Sequence, residues 1–259
     1  MSERSEHDHW FEGLADHLGS AYLRYSFTKG TEQEVGFLVE ALGLEPGMRV
    51  LDVGCGPGRH AHALGRRGIA VHGVDISARF VEIAQVDAPP GVTFARVDAR
   101  DLGFEAEFDA AISLCQGAFG LQGGPATTTD GTGDAPVLAG IARALRPGGQ
   151  AAVSAFSSYF QIANLVEGTT FDADTGVAHE RTVIKDEQGG DAETDLWTTC
   201  FTPRELRLLA RSVGLVPEHV WAVEPGRYAR RRPDVDHAEH LLVARRPDEI
   251  RAVPESDRP

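Results

Sequence analysis

At 259 residues, with 42% hydrophobic and 25% charged side chains, the chain suits one α/β domain with additions rather than two full domains. Its net charge of −14 works against a dedicated nucleic-acid enzyme, because binding phosphates needs Lys and Arg to neutralise them, although the sequence leaves room for a local basic patch such as Arg227 and Arg230–Arg232. No apolar run is long enough for a membrane helix, the start is polar without a leader core, and three widely spaced cysteines fit a reducing cytoplasm.

Apolar residues at helical spacing predict helices over 8–19 and 31–43, the second ended by Gly43 and the Pro46-Gly47 turn. Strand one follows over 48–54 and a first crossover helix over 57–67. Strand two takes 69–74. Ser77 caps a helix running to about Gln85. Strands three and four fall at 92–97 and 108–115. Residues 117–134, rich in Gly and Thr, read as a mobile loop. A helix over 135–145 and a strand over 150–156 continue the alternation, which predicts a doubly wound parallel sheet. Residues 169–201 break it: two strands, 177–185 and 194–201, joined by a polar turn, read as a small antiparallel insertion. Thr202 and Pro203 start a helix through Ser212. Strands at 216–223 and 239–245 close the pattern. The organisation expected is a helical lid over 1–45, a main domain over 46–246 with a lid insertion at 157–201, and a flexible tail at 247–259.

The densest signal is Val-Leu-Asp-Val-Gly-Cys-Gly-Pro-Gly at residues 50–58. An apolar strand runs into a glycine turn and then a helix, where the backbone can approach a ligand closely and free N–H groups face it. A dinucleotide fingerprint needs G-x-G-x-x-G, but here Arg59 stands at the third glycine's place. A buried Asp52 before the turn would also repel a pyrophosphate. Asp75 ends strand two about twenty residues after Gly54, where one carboxylate can accept both hydroxyls of a ribose.

With Val71-His72-Gly73-Val74-Asp75-Ile76-Ser77, this run resembles the first two motifs of class I S-adenosylmethionine-dependent methyltransferases. The motifs cover about 48–156, and the layout extends to 246. The resemblance implies a seven-stranded Rossmann-like sheet in the order 3-2-1-4-5-7-6, with S-adenosylmethionine as cofactor. It implies Asp52 toward the ligand's amino group and the loop of Gly54, Cys55, Gly56 and Gly58 against its methionine and ribose. Asp75 would hold the ribose, and Ile76 would pack on adenine. Asp98 would accept from the adenine amino group beside the Ala99 amide, with Asp101 as competitor. Gln116 would sit near the methyl group.

The Asn/Asp-Pro-Pro-Tyr motif for planar amino groups is absent; Ser113-Leu114-Cys115-Gln116 stands there. The insertion's layout is similar to that of small-molecule N- and O-methyltransferases. The expected function is therefore methyl transfer to an N or O atom of a small-molecule acceptor, without nucleic-acid or membrane partners and with the oligomeric state open. The alternatives are a peptide or protein methyltransferase, a non-catalytic S-adenosylmethionine-binding subunit, or a nicotinamide oxidoreductase. Catalytic candidates are Gln116, Tyr22 and His179, with Tyr22 and Tyr159 expected to line the acceptor pocket. No metal is expected: Asp172 and Asp174 open a loop resembling a calcium site, but its glycine is misplaced and Val183 stands where a glutamate is needed.

Overall fold

The computed structural model describes residues 9–124 and 133–248. Part of the expected mobile loop and nearly all of the expected tail lie outside these residues. No helix among the described residues is long and apolar enough to cross a membrane.

Strands β1 (Arg49–Val53), β2 (Ala70–Asp75), β3 (Val92–Arg96), β4 (Phe108–Ser113) and β5 (Leu145–Ser157) form the parallel part of the sheet. β9 (Val216–Val223) and β10 (Glu239–Arg245) complete it as an antiparallel pair, with β10 against β5. The resulting order, β3-β2-β1-β4-β5-β10-β9, is the seven-stranded order the resemblance implied.

Both faces are covered, so the central strands are apolar on both sides. Along β1, Leu51 and Val53 enter one core and Val50 the other. α5 (Asp134–Ala144) and α7 (Pro203–Ser212) supply Leu138, Ile141 and Leu206 to the first core. α2 (Thr31–Ala41), α3 (Arg59–Gly65) and α4 (Ala78–Gln85) supply Leu38, Leu64 and Val81 to the second. The expected caps hold. Ser77 accepts from the Phe80 amide, and Thr202 and Glu205 make a reciprocal capping box around Pro203.

Three elements differ from expectation. The first crossover helix begins at Arg59, after Gly58 takes a left-handed conformation. A short helix, α6 (Ser158–Ala163), follows β5 under a Ser157 cap. The insertion has three strands, because β6 (Thr169–Asp172) pairs with β7 (Val177–Lys185) before β7 pairs with β8 (Asp191–Phe201). β6 is short and its alternation weak, which hid it. The far end of β8 pairs in parallel with Phe156 and Ser157 of β5, beyond the last residue of β4. The insertion thereby stands over the carboxyl ends of the central strands.

The N-terminal segment meets it there. α1 (Trp10–Leu18) and the 3-10 turns Gly19–Arg24 and Ser26–Gly30 pack Leu14, Leu18 and Tyr22 around Phe80, Ile184 and Leu196. Trp10 donates to the Gly123 carbonyl (2.9 Å) and lies edge-on to Trp197. Glu187, at the tip of the β7–β8 hairpin, accepts from the Ser20 amide (2.7 Å) and from Arg79 (2.9 Å). Each buried apolar side chain of this third cluster contributes roughly 1.5–3 kcal/mol, so the roof is packed rather than draped.

Candidate functional site

The glycine turn after β1 is built on a close crossing of two backbones. Gly54 has φ +72°, and a Cβ there would lie 2.0 Å from the Gly117 carbonyl carbon. A Cβ on Gly117 would meet the Gly54 oxygen at the same distance. The segment crossing Gly54 is itself strained: Cys115 and Gln116 both hold φ near +50° (52° and 51°) without being glycine. Such conformations cost on the order of 1–3 kcal/mol each and collect at functional sites. The Cys115 amide donates to Ser154 Oγ (2.8 Å), and Arg59 donates to Cys115 Sγ (2.8 Å). Arg59 is in turn held by buried Glu34 (2.6 Å), which also accepts from the Gly226 amide and bonds His60. Burial alone would raise the Glu34 pKa, but His60 and Arg59 outweigh it and hold the carboxyl below its ordinary range.

Two chambers meet at Gly54, Asp75 and Gly117. The inner one is narrow, lined by Ile76, Asp98, Ala99, Leu121 and the N-terminal His9 and Phe11. The outer one has a volume of about 430 Å³ and is roofed by α1, the 3-10 turns and β8. Gln116, Cys115 and Glu239 form its polar floor.

Asp75 stands at the junction, 3% exposed. Its two oxygens accept from the Gly56 amide (2.8 Å) and the Ser77 amide (2.9 Å), fixing the carboxylate against the turn with lone pairs to spare. Burial raises its pKa to about 6, opposed by those two hydrogen bonds. Asp98 caps the Arg100 amide and pairs with the Arg100 guanidinium. Burial would raise its pKa, but the Arg100 bonds hold it below the ordinary range. Asp101, its competitor, is exposed and lines neither chamber.

Several expected positions fall elsewhere. Asp52 lines neither chamber: it faces α3, receives a hydrogen bond from the Ala61 amide, and leaves Oδ2 unpartnered. It anchors the helix that follows the turn. Cys55 and Gly58 also point away from both chambers. The Cys55 side chain joins the second core, and a Cβ on Gly58 would meet Phe94 at 2.9 Å. Tyr159 is 46% exposed on α6, and Phe156 takes the wall in its place. His179 is excluded from the outer chamber by strand geometry. Successive side chains alternate faces, so Leu196 and Thr198 face the chamber while Trp197 faces away, and His179 pairs across from Trp197. His179 stacks on that indole and bonds Asp195 (2.8 Å), lining a separate cleft of about 450 Å³ flanked by Gly124 and Gly133. Tyr22 and Gln116 are at the outer chamber as expected.

Glu239 was missed. It opens β10 with 4% exposure, and its side chain neighbours Gln116, although neither its Oε2 nor Gln116 Nε2 has a partner within ordinary hydrogen-bond distance. Burial, reinforced by Glu34, raises its pKa to about 7. The signal available in sequence was a carboxylate beginning an otherwise apolar strand, Glu239-His240-Leu241-Leu242-Val243-Ala244.

The Asp52 environment sets a pH dependence. Burial raises its pKa to about 7, so the folded chain keeps this proton where the unfolded chain, at about 4, has lost it. Stability from this group is full below about pH 4 and is lost as pH rises to about 7. Urea unfolding of wild type and Asp52→Asn across this range should show the gap moving in the variant's favour with rising pH, then levelling. A gap independent of pH would refute the assignment.

The arrangement fits the group that the resemblance implies. The Gly54–Gly117 crossing leaves no room for side chains beside the junction, Asp75 presents a fixed buried carboxylate, and Gln116 presents an unpartnered amide.

Comparison with known proteins agrees. Residues 50–149 match the family model described as a methyltransferase domain. The CcbJ methyltransferase of Streptomyces caelestis superposes with a TM-score of 0.73 at 21% identity, covering 93% of this chain and 99% of that one. CalS10, an amino pentose methyltransferase from Micromonospora echinaspora, gives 0.58 at 20% identity over 95% and 100% of the two chains. Among curated proteins, the putative methyltransferase YqeM of Bacillus subtilis (strain 168) is 30% identical over 135 residues, 51% of each chain. The ubiquinone biosynthesis O-methyltransferase of Leptothrix cholodnii is 37% identical over 73 residues, 28% of this chain and 30% of its own. The chain thus spans about half or less of the length of these two curated relatives. By its strand order, its glycine turn and the methyltransferase domain matched over residues 50–149, the chain has the fold of the class I S-adenosylmethionine-dependent methyltransferases.

Proposed function

We propose that this chain transfers a methyl group from S-adenosylmethionine to an N or O atom of a small-molecule acceptor. One observation carries the reading: a largely apolar chamber of about 430 Å³ opens on the same Gly54, Asp75 and Gly117 that border the inner chamber. Bound S-adenosylmethionine supplies a methyl carbon already activated by its sulfonium. The protein's own residues then have three tasks. Asp75 would hold the ribose hydroxyls, and Ile76, Asp98 and Ala99 would enclose the adenine. The roof of α1 and β8 excludes water, and the floor at Gln116 and Glu239 orients the acceptor. Well-aligned reactants can lower the barrier by roughly 7–11 kcal/mol without further chemistry. A peptide or protein acceptor would need an open groove, whereas α1 and β8 roof this chamber, with Trp10 fixed to the Gly123 carbonyl.

The first check is cofactor choice. Calorimetry should give saturable binding of S-adenosylhomocysteine and none of NAD. Preferential NAD binding would overturn the reading. Incubation with labelled S-adenosylmethionine should then transfer label to small nucleophiles and not to peptides.

A further inference from the structure

The outer chamber is unusual in its charges. Six aromatic residues line it: Trp10, Phe11, Tyr22, Phe27, Phe80 and Phe156. Two carboxylates, Asp75 and Glu239, face it, and no Lys or Arg is among its described lining residues. Arg59, which reaches the lining residue Cys115 from behind, is neutralised by Glu34. An anionic acceptor would meet only repulsion here. A neutral hydroxyl would gain little from Glu239. A protonated amine would gain both a charge-assisted hydrogen bond to the carboxylate and contact with aromatic rings, the two usual means of recognising an ammonium group. Asp75 is already anchored by two backbone amides at the junction. Glu239 keeps a buried oxygen beside Gln116 with no partner within ordinary hydrogen-bond distance.

We infer that the acceptor is a compact primary or secondary amine with an apolar body, and that Glu239 binds its ammonium group and takes its proton. This assignment rests on the methyl-transfer reading above. The charges balance as follows. One proton passes from the ammonium nitrogen to Glu239 Oε2, freeing the nitrogen lone pair. That pair forms the new N–C bond, the C–S bond breaks with its electrons remaining on sulfur, and the product leaves as an N-methylammonium ion. Glu239 then releases its proton to solvent. A carboxyl with a pKa of about 7 is suited to taking and returning a proton near neutrality. The groups acting on it are Glu34 from α2, Arg59 from α3, Gln116 and Cys115 after β4, Tyr22 from the roof and Tyr228 after β9.

The test uses the whole chain with S-adenosylhomocysteine bound and three probes of one shape: benzylamine, benzyl alcohol and benzoate. Calorimetry should give benzylamine an affinity at least about tenfold above benzyl alcohol, with no benzoate binding. Benzylamine binding should strengthen as pH rises through about 7, when Glu239 ionises while the amine stays charged. Glu239→Gln should erase the preference for amine and its pH dependence while leaving alcohol binding and S-adenosylhomocysteine binding unchanged. Equal or better binding of the alcohol or benzoate, or no binding of any probe, overturns the inference. So does an amine preference that survives Glu239→Gln. The wild-type comparison stands alone if that variant does not fold. Loss of S-adenosylhomocysteine binding by the wild type would instead strike the methyl-transfer reading.

Discussion

Gly54→Ala should abolish S-adenosylhomocysteine binding and lower the unfolding free energy by about 2–5 kcal/mol. The cost has two sources. The residue holds φ +72°, where a Cβ is strained, and the added carbon would lie 2.0 Å from the Gly117 carbonyl carbon. Backbone cannot rotate aside as a side chain does, so the Gly117 segment must move, carrying Gln116 with it. Gly56→Ala provides the control. Its φ is +53°, but the nearest atom to a new Cβ is Tyr22 Cε1 at 3.8 Å. That variant should lose only about 1 kcal/mol of stability. Urea unfolding and calorimetry on both variants separate backbone crossing from conformational strain. If Gly54→Ala binds normally, the crossing does not shape the site.

Asp75→Ala should weaken S-adenosylhomocysteine binding by about two orders of magnitude. Two charge-assisted bonds to ribose, each roughly 1.5–3 kcal/mol, would be lost. The Gly56 and Ser77 amides would also lose their acceptor. Asp75→Asn is not a rescue, because the amide can accept through only one of its two ends. Calorimetry at fixed pH reads the loss, and circular dichroism reports whether the fold persists. Affinity within a few-fold of wild type would remove Asp75 from the site.

The main sheet was legible because each βα unit carries its own local signals. Ser77, Thr202, Pro203 and the glycine turn mark element boundaries through hydrogen-bonding and φ requirements that act within a few residues. Asp75, Ile76, Asp98 and Ala99 come together at the inner chamber for the same reason, since strand ends on one edge of a parallel sheet share one crevice. What failed was direction. Asp52 sits one strand position too early and turns toward α3. His179 and Tyr159 are in the right segments but on the wrong faces, and face is set by tertiary pairing such as His179 against Trp197. Glu239 was passed over because its place in the chamber depends on β10 returning beside β5, a contact between residues about eighty apart.

The boundary of the matched domain also falls in an informative place. All inner-chamber residues except His9 and Phe11 lie within 50–149. In the outer chamber, Trp10, Leu14, Tyr22 and Phe27 precede that span, while Phe156, Leu196, Thr198 and Glu239 follow it. On the methyl-transfer reading, most residues peculiar to the acceptor side lie outside the matched span, and the two chambers share Phe11, Gly54, Asp75, Gly117 and Leu121. A catalyst laid out this way can exchange its clientele by rewriting its outer segments while its methyl supply stays intact. Grafting the N-terminal segment and the hairpin together, as a matched pair held by Glu187, is the natural unit for such an exchange.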